Sequence, residues 1–87
     1  MKIILSPLAE KQLRKITKID QIAVAKKIRS IVLNKHIKAE KLQGYLDVFR
    51  VRVGSYRIVY KHFKDRIHIV LIGHRRDIYH LLKQLIK

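Results

Sequence analysis

The stretch from Val48 to His62 constrains the fold of this chain more than any other. Along Val48–Val53 the side chains alternate, with Val48, Arg50 and Arg52 on one side and Phe49, Val51 and Val53 on the other. That period of two marks a strand with one buried face. Gly54-Ser55 follows, placing Gly at the first central position of a type II′ hairpin turn. Tyr56–His62 then alternates again, Tyr56, Ile58 and Tyr60 opposite Arg57, Val59 and Lys61. The pattern predicts a tight antiparallel hairpin. After a turn around Lys64-Asp65, Ile67–Ile72 is apolar on both faces apart from His68, which predicts an inner strand ended by Gly73.

Elsewhere the period is helical. Lys2–Leu5 is a short β-prone start, and Ser6-Pro7 reads as a cap followed by proline in the first turn. Ala9, Leu13 and Ile16 share one face of the helix that follows. A second helix, capped at Asp20, buries Val24, Ile28, Ile31 and Val32, so the two form a helical hairpin with a Lys-rich outer face. Asn34 to Tyr45 reads as a loop containing Gly44. Asp77 is placed as the cap of a last helix whose apolar stripe is Ile78, Leu81, Leu82, Leu85 and Ile86. The predicted order is β-α-α-β-β-β-α: an α+β fold in a single small domain over 1–87, with N-terminal strand, helical hairpin, antiparallel β-meander and C-terminal helix. Strand order stays open, because Lys2–Leu5 fits either an edge or the interior.

The chain has 87 residues, 21 of them Lys or Arg against 6 Asp or Glu, for a net charge of +15. Solubility alone asks for a magnitude of roughly 2 to 8, and 48% hydrophobic residues are too many for a disordered basic tail. The partner expected is a polyanion, either nucleic acid or an acidic protein. No Cys is present, which excludes disulfides, thiolate nucleophiles and Cys-based metal sites. No apolar run approaches a bilayer span and no signal peptide precedes Ser6-Pro7, so a soluble cytoplasmic protein without a membrane partner is expected. The five His show no i, i+4 pairing around a carboxylate, and neither a hydrolase triad nor a Gly-rich phosphate loop is visible. Neither a metal nor a small-molecule cofactor is expected.

Base type is uneven: the first half is Lys-rich, whereas Arg dominates after Tyr45. Arginine offers a planar fork matched to phosphate. Arg50 and Arg52, two apart on a strand, stand about 6.7 Å from each other on one face. Arg57 follows the tight turn and is expected to share that face. Three guanidiniums together call for an anion, which makes the face a candidate phosphate-binding floor. A second cluster, Gly73-His74-Arg75-Arg76-Asp77-Ile78-Tyr79, follows the inner strand. Tyr79 falls outside the leucine stripe, so its phenol need not belong to the core. Arg76, Lys61 and Lys41 are expected to contact the polyanion, RNA if it is a nucleic acid, and Tyr45, Tyr56 and Tyr60 are assigned to core or loop anchoring.

Pro7-Leu8-Ala9-Glu10-Lys11-Gln12-Leu13, Lys41-Leu42-Gln43-Gly44, the whole of Phe49–Tyr60 and Gly73–Tyr79 resemble the RelE/ParE superfamily of toxin–antitoxin toxins. The last pattern resembles the RelE branch. The resemblance implies a ribosome-dependent mRNA endoribonuclease, held in check by a cognate antitoxin that wraps the toxin. It also implies attack of an mRNA 2′-hydroxyl on the adjacent phosphate without a metal, leaving a 2′,3′-cyclic phosphate and a 5′-hydroxyl. The family's basic and tyrosine site residues map onto Arg50, Arg52, Arg57, Arg75 and Tyr79, with a shorter loop before Tyr79.

Such a reaction needs charge neutralised on the phosphate oxygens, a role for Arg57 and Arg75, and proton movement at both reacting oxygens. Arg50 and Arg52 stand where the family can carry Lys, and an arginine does not surrender its proton. Proton transfer therefore passes to Tyr79, His74 or His80, with Tyr79 preferred and His74 as a further participant. Three rivals stay open. These are a ParE-like inhibitor of DNA gyrase, a basic RNA- or ribosome-binding protein without chemistry, and an inactive toxin of the same fold.

Overall fold

The computed structural model describes residues 1–33 and 37–85. The chain runs β1 (Lys2–Leu5), α1 (Pro7–Lys15), α2 (Lys18–Leu33), β2 (Glu40–Lys41), β3 (Val48–Val53), β4 (Tyr56–His62), β5 (Arg66–His74) and α3 (Arg75–Leu85). The expected α+β order is present with one addition. The segment read as a loop before the hairpin contains β2, whose two residues pair with β3, Glu40 opposite Arg50 and Lys41 opposite Phe49.

The sheet order is β1-β5-β4-β3-β2. β1 lies parallel to β5 at one edge, and the other neighbours are antiparallel. In the β3–β4 hairpin Val53 faces Tyr56 across the turn. Gly54 takes φ 58° while Ser55 is not left-handed, the combination a type II′ turn requires. Gly73 does not end β5 as expected. It pairs with Arg57, and the strand continues through His74, which pairs with Tyr56. A bulge between Val59 and Tyr60 moves the pairing from Leu71 to Ile69 and leaves Val70 as the extra residue.

β1 pairs with β5 only as far as Leu5 opposite Ile69, so beyond that point α1 supplies partners for the β5 edge. The Ser6 amide donates to the Ile69 carbonyl at 2.9 Å. Its hydroxyl donates to the Val70 carbonyl at 2.6 Å and accepts from the Ala9 amide at 3.0 Å. Gln12 Oε1 accepts from the Ile72 amide at 2.7 Å. Ser6 therefore caps α1 and extends the sheet hydrogen bonding at once.

Two helix starts differ from the sequence expectation. α2 begins at Lys18 because Thr17, not Asp20, is the cap. The Thr17 hydroxyl accepts from the Asp20 amide at 3.3 Å and donates to the Asp20 carboxylate at 3.0 Å, an N-cap bond braced by a side-chain bond to the same residue. α3 begins at Arg75, so Asp77 lies within its first turn rather than ahead of it.

The sheet separates two apolar clusters. On one face Ala9 of α1 and Val24, Ile28 and Ile31 of α2 pack on Val51, Ile58, Tyr60, Ile67, Ile69 and Ile72. On the other, Ile78 and Leu82 of α3 pack on Val48, Val59, Val70 and Leu71. Leu85 is exposed, so the buried stripe of α3 is shorter than expected; Ile86 lies outside the described residues. Tyr60 is buried and stacks on Phe49 with centroids 5.6 Å apart, as its anchoring role required.

Burial raises the Tyr60 phenol above its ordinary value of 10.0. The unfolded chain then loses this proton at lower pH than the folded one. Stability from the neutral phenol is therefore intact below the unfolded value and is lost as pH climbs through it toward the raised folded value. Tyr60→Phe is expected to abolish this part of the alkaline weakening. Urea melts should give a constant difference between wild type and variant below about pH 9, and a difference moving in the variant's favour above about pH 10.

Candidate functional site

α3 and the arginines share one face of the sheet. Alternation along β3 puts Arg50 and Arg52 on the side of Val48, and along β4 it puts Arg57 on the side of Val59. Val48 and Val59 are the residues on which Ile78 and Leu82 pack. The register sets Arg52 directly opposite Arg57, and Arg50 opposite Val59 on one side and Glu40 on the other. The common face expected for Arg50, Arg52 and Arg57 is present.

Like charges directly opposite on a sheet repel, and the two arginines differ in depth. Arg52 is exposed, whereas Arg57 is 4% exposed. Across β5 the residue opposite Arg57 is Gly73, which brings no side chain to that face. A Cβ built there would meet Ile78 Cγ1 of α3 at 3.7 Å. Arg57 is thus a buried residue opposite the glycine that Ile78 of α3 approaches.

Arg50 links β2, β3 and α3. Its Nη2 donates to the Glu40 carboxylate, and its guanidinium carbon stands 5.7 Å from the centroid of the Tyr79 ring. An exposed cation–π contact of this kind contributes about 0.5–1 kcal/mol. Tyr79 remains 38% exposed, so one helical residue meets both the arginine face and solvent. Glu40 was not expected here. Only the β2–β3 register reveals it, and two polar residues carry no periodicity from which to predict a strand.

The remaining expected site residues lie apart or outside the described side chains. His74 follows Gly73 in β5, so alternation carries it to the face opposite Arg57. There its ring meets Tyr56 with centroids 4.5 Å apart and planes tilted by 32°, in a cleft between α1 and α3 lined also by Gln12, Thr17, Gly73 and Ile78. Lys61 shares the α3 face but sits opposite Val48 and His68, farther along the sheet. Its Nζ is 5.4 Å from the Phe63 centroid. Lys41 is exposed opposite Phe49, on the other face from Arg50. Arg75 and Arg76 open α3 directly after the residues paired with Arg57 and Tyr56, and their side chains lie outside the described residues.

Among the described residues no group of three or more His, Cys, Asp or Glu is placed to hold a metal ion, and no helix is long and apolar enough to cross a membrane. Among the described side chains the site's chemistry is that of clustered guanidiniums, the Glu40 carboxylate and the Tyr79 phenol. A family model for the ParE toxin of type II toxin–antitoxin systems matches residues 3–79, from the first strand through Tyr79. The chain belongs to the ParE toxin family. This toxin is also 29% identical over 82 residues to a putative RelE-like toxin protein of Escherichia coli, covering 87% of this chain and 86% of the relative. Its fold superposes on a free-state mutant of E. coli toxin RelE with TM-score 0.82 at 22% identity, over 99% of this chain and 97% of that one. The toxin chain of the intact E. coli RelBE complex gives TM-score 0.76 at 23% identity, over 86% and 96%.

Proposed function

We propose that this toxin is a ribosome-dependent mRNA endoribonuclease, working in the cytoplasm and restrained by a cognate antitoxin. The observation that carries the proposal is the placement of Arg50 between the Glu40 carboxylate and the Tyr79 ring, on the face that also holds Arg52 and Arg57. An mRNA phosphate among these guanidiniums has its oxygens neutralised by fixed donors. The 2′-hydroxyl loses its proton and attacks the adjacent phosphorus, and the 5′-oxygen departs and takes up a proton. The products are a 2′,3′-cyclic phosphate and a 5′-hydroxyl end.

Arginine moves no protons at neutral pH. Among the described side chains, Tyr79 and Glu40 stand beside Arg50 and are able to do so, whereas His74 lies on the other face. Glu40 is therefore added to the site as a proton acceptor, and His74 is withdrawn from it. Glu40→Gln is expected to lower single-turnover cleavage about 10²-fold, while His74→Ala should stay within about threefold of wild type. Equal losses in the two variants would overturn this division.

Support for an antitoxin partner comes from the family itself and from the likeness to toxins crystallised with RelB. A net charge of +15 suits an acidic wrapping segment. The family match to ParE favours a second reading, inhibition of DNA gyrase by binding alone. Primer extension on a defined mRNA in stalled ribosomes separates the two. Discrete cuts in the A-site codon support the nuclease. Intact mRNA together with loss of gyrase supercoiling activity supports the second reading.

A further inference from the structure

β2 pairs with only two residues of β3, Phe49 and Arg50, so the β3 edge beyond them has no strand beside it. A cleft of about 460 Å³ opens there, lined by Lys27, Lys38, Glu40, Arg50, Val51 and Arg52. Lys27 comes from α2 at the border of the stripe that buries Val24, Ile28 and Ile31. It is half-buried and lines the cleft. Lys38 enters from the segment ahead of β2. Four cations thus face one carboxylate, and Arg50 already engages that carboxylate.

We infer that this cleft is a second phosphate subsite, in which Lys27 and Lys38 together with Arg52 hold the RNA backbone beside the scissile phosphate. The inference rests on the RNA-cleaving reading and gives the substrate strand a direction. α3 covers the β4–β5 side of the arginine face through Ile78 and Leu82. Arg52, on the β3 side, is exposed. A strand seated on the arginines therefore leaves across the β3 edge, where the two lysines stand. An acidic antitoxin segment is the competing occupant, but continuity with Arg50 and Arg52 favours RNA.

Binding of a short, uncleavable 2′-O-methyl oligoribonucleotide to the purified toxin tests the subsite without relying on catalysis. Loss of two single-strand phosphate contacts lowers the log–log salt slope by about 1.4 and the affinity by about 25-fold near 0.1 M salt. Lys27→Gln/Lys38→Gln is expected to show that change with an unaltered melting temperature, and Lys27→Arg/Lys38→Arg to retain the wild-type slope. Lys2→Gln/Lys64→Gln, at the far side of the sheet, should leave the slope unchanged.

The inference is overturned if the first variant keeps the wild-type slope, whether or not it loses antitoxin affinity. Equal losses in the Lys2/Lys64 pair, or failure of wild type to bind the oligomer, overturn it too. Primer extension on ribosomes with the same proteins keeps the parent reading separate: oligomer binding that depends on Lys27 and Lys38 without any cleavage sinks the nuclease and leaves the RNA subsite standing.

Discussion

Replacing Arg57 by alanine is expected to lower single-turnover mRNA cleavage on programmed ribosomes by about 10²- to 10³-fold, the usual loss when a preorganised charge donor is removed. The size of the effect follows from depth. A guanidinium that is 4% exposed acts in a medium that screens it far less than water does. Arg57→Lys should recover only part of the rate, because an ammonium keeps the charge but lacks the planar fork that grips two phosphate oxygens. Thermal melts and antitoxin binding on both variants separate loss of chemistry from loss of fold. Wild-type cleavage by a folded Arg57→Ala protein would remove Arg57 from the mechanism.

The second large effect is expected at Tyr79. Tyr79→Phe deletes one oxygen and keeps the ring beneath Arg50, so the contact at 5.7 Å survives. A rate loss of about 10²- to 10⁴-fold with little change in KM would mark the hydroxyl as a proton-transfer group. Tyr79→Ala should lose the rate and also free Arg50, raising KM. If the Phe variant cuts at the wild-type rate and only the Ala variant fails, the ring holds Arg50 and the proton travels elsewhere, with Glu40 the next candidate.

Much of this was readable in the sequence because it depends on alternation. The hairpin followed from Val48–Val53 and Tyr56–His62 around Gly54, and the shared face of Arg50, Arg52 and Arg57 followed from the same count. What escaped was set by pairing rather than by pattern. Glu40 joins the site only because β2 happens to lie beside Arg50, a fact of register between segments ten residues apart in the chain. His74 was misplaced because β5 runs one residue past Gly73, and one residue along a strand exchanges faces. Thr17 was a legible N-cap, and choosing Asp20 as the cap shifted the helix start by a turn's fraction. No pattern in the chain could say which arginine would be covered and which would face water.

The depth of Arg57 has a consequence for how the toxin is switched on. If Arg57 does hold the phosphate as proposed, a residue only 4% exposed is expected to be reached only in the fraction of molecules in which its surroundings have opened. Every 1.4 kcal/mol that such opening costs weakens apparent substrate affinity about tenfold. A loose RNA strand, held by a few surface charges, has little binding free energy to spend on opening. Under the proposed function, a message fixed in the ribosome is expected to have far more, because a chain of net charge +15 would gain further contacts on ribosomal RNA. On the nuclease reading, dependence on the ribosome is then the expected behaviour of a toxin whose Arg57 is folded away at rest.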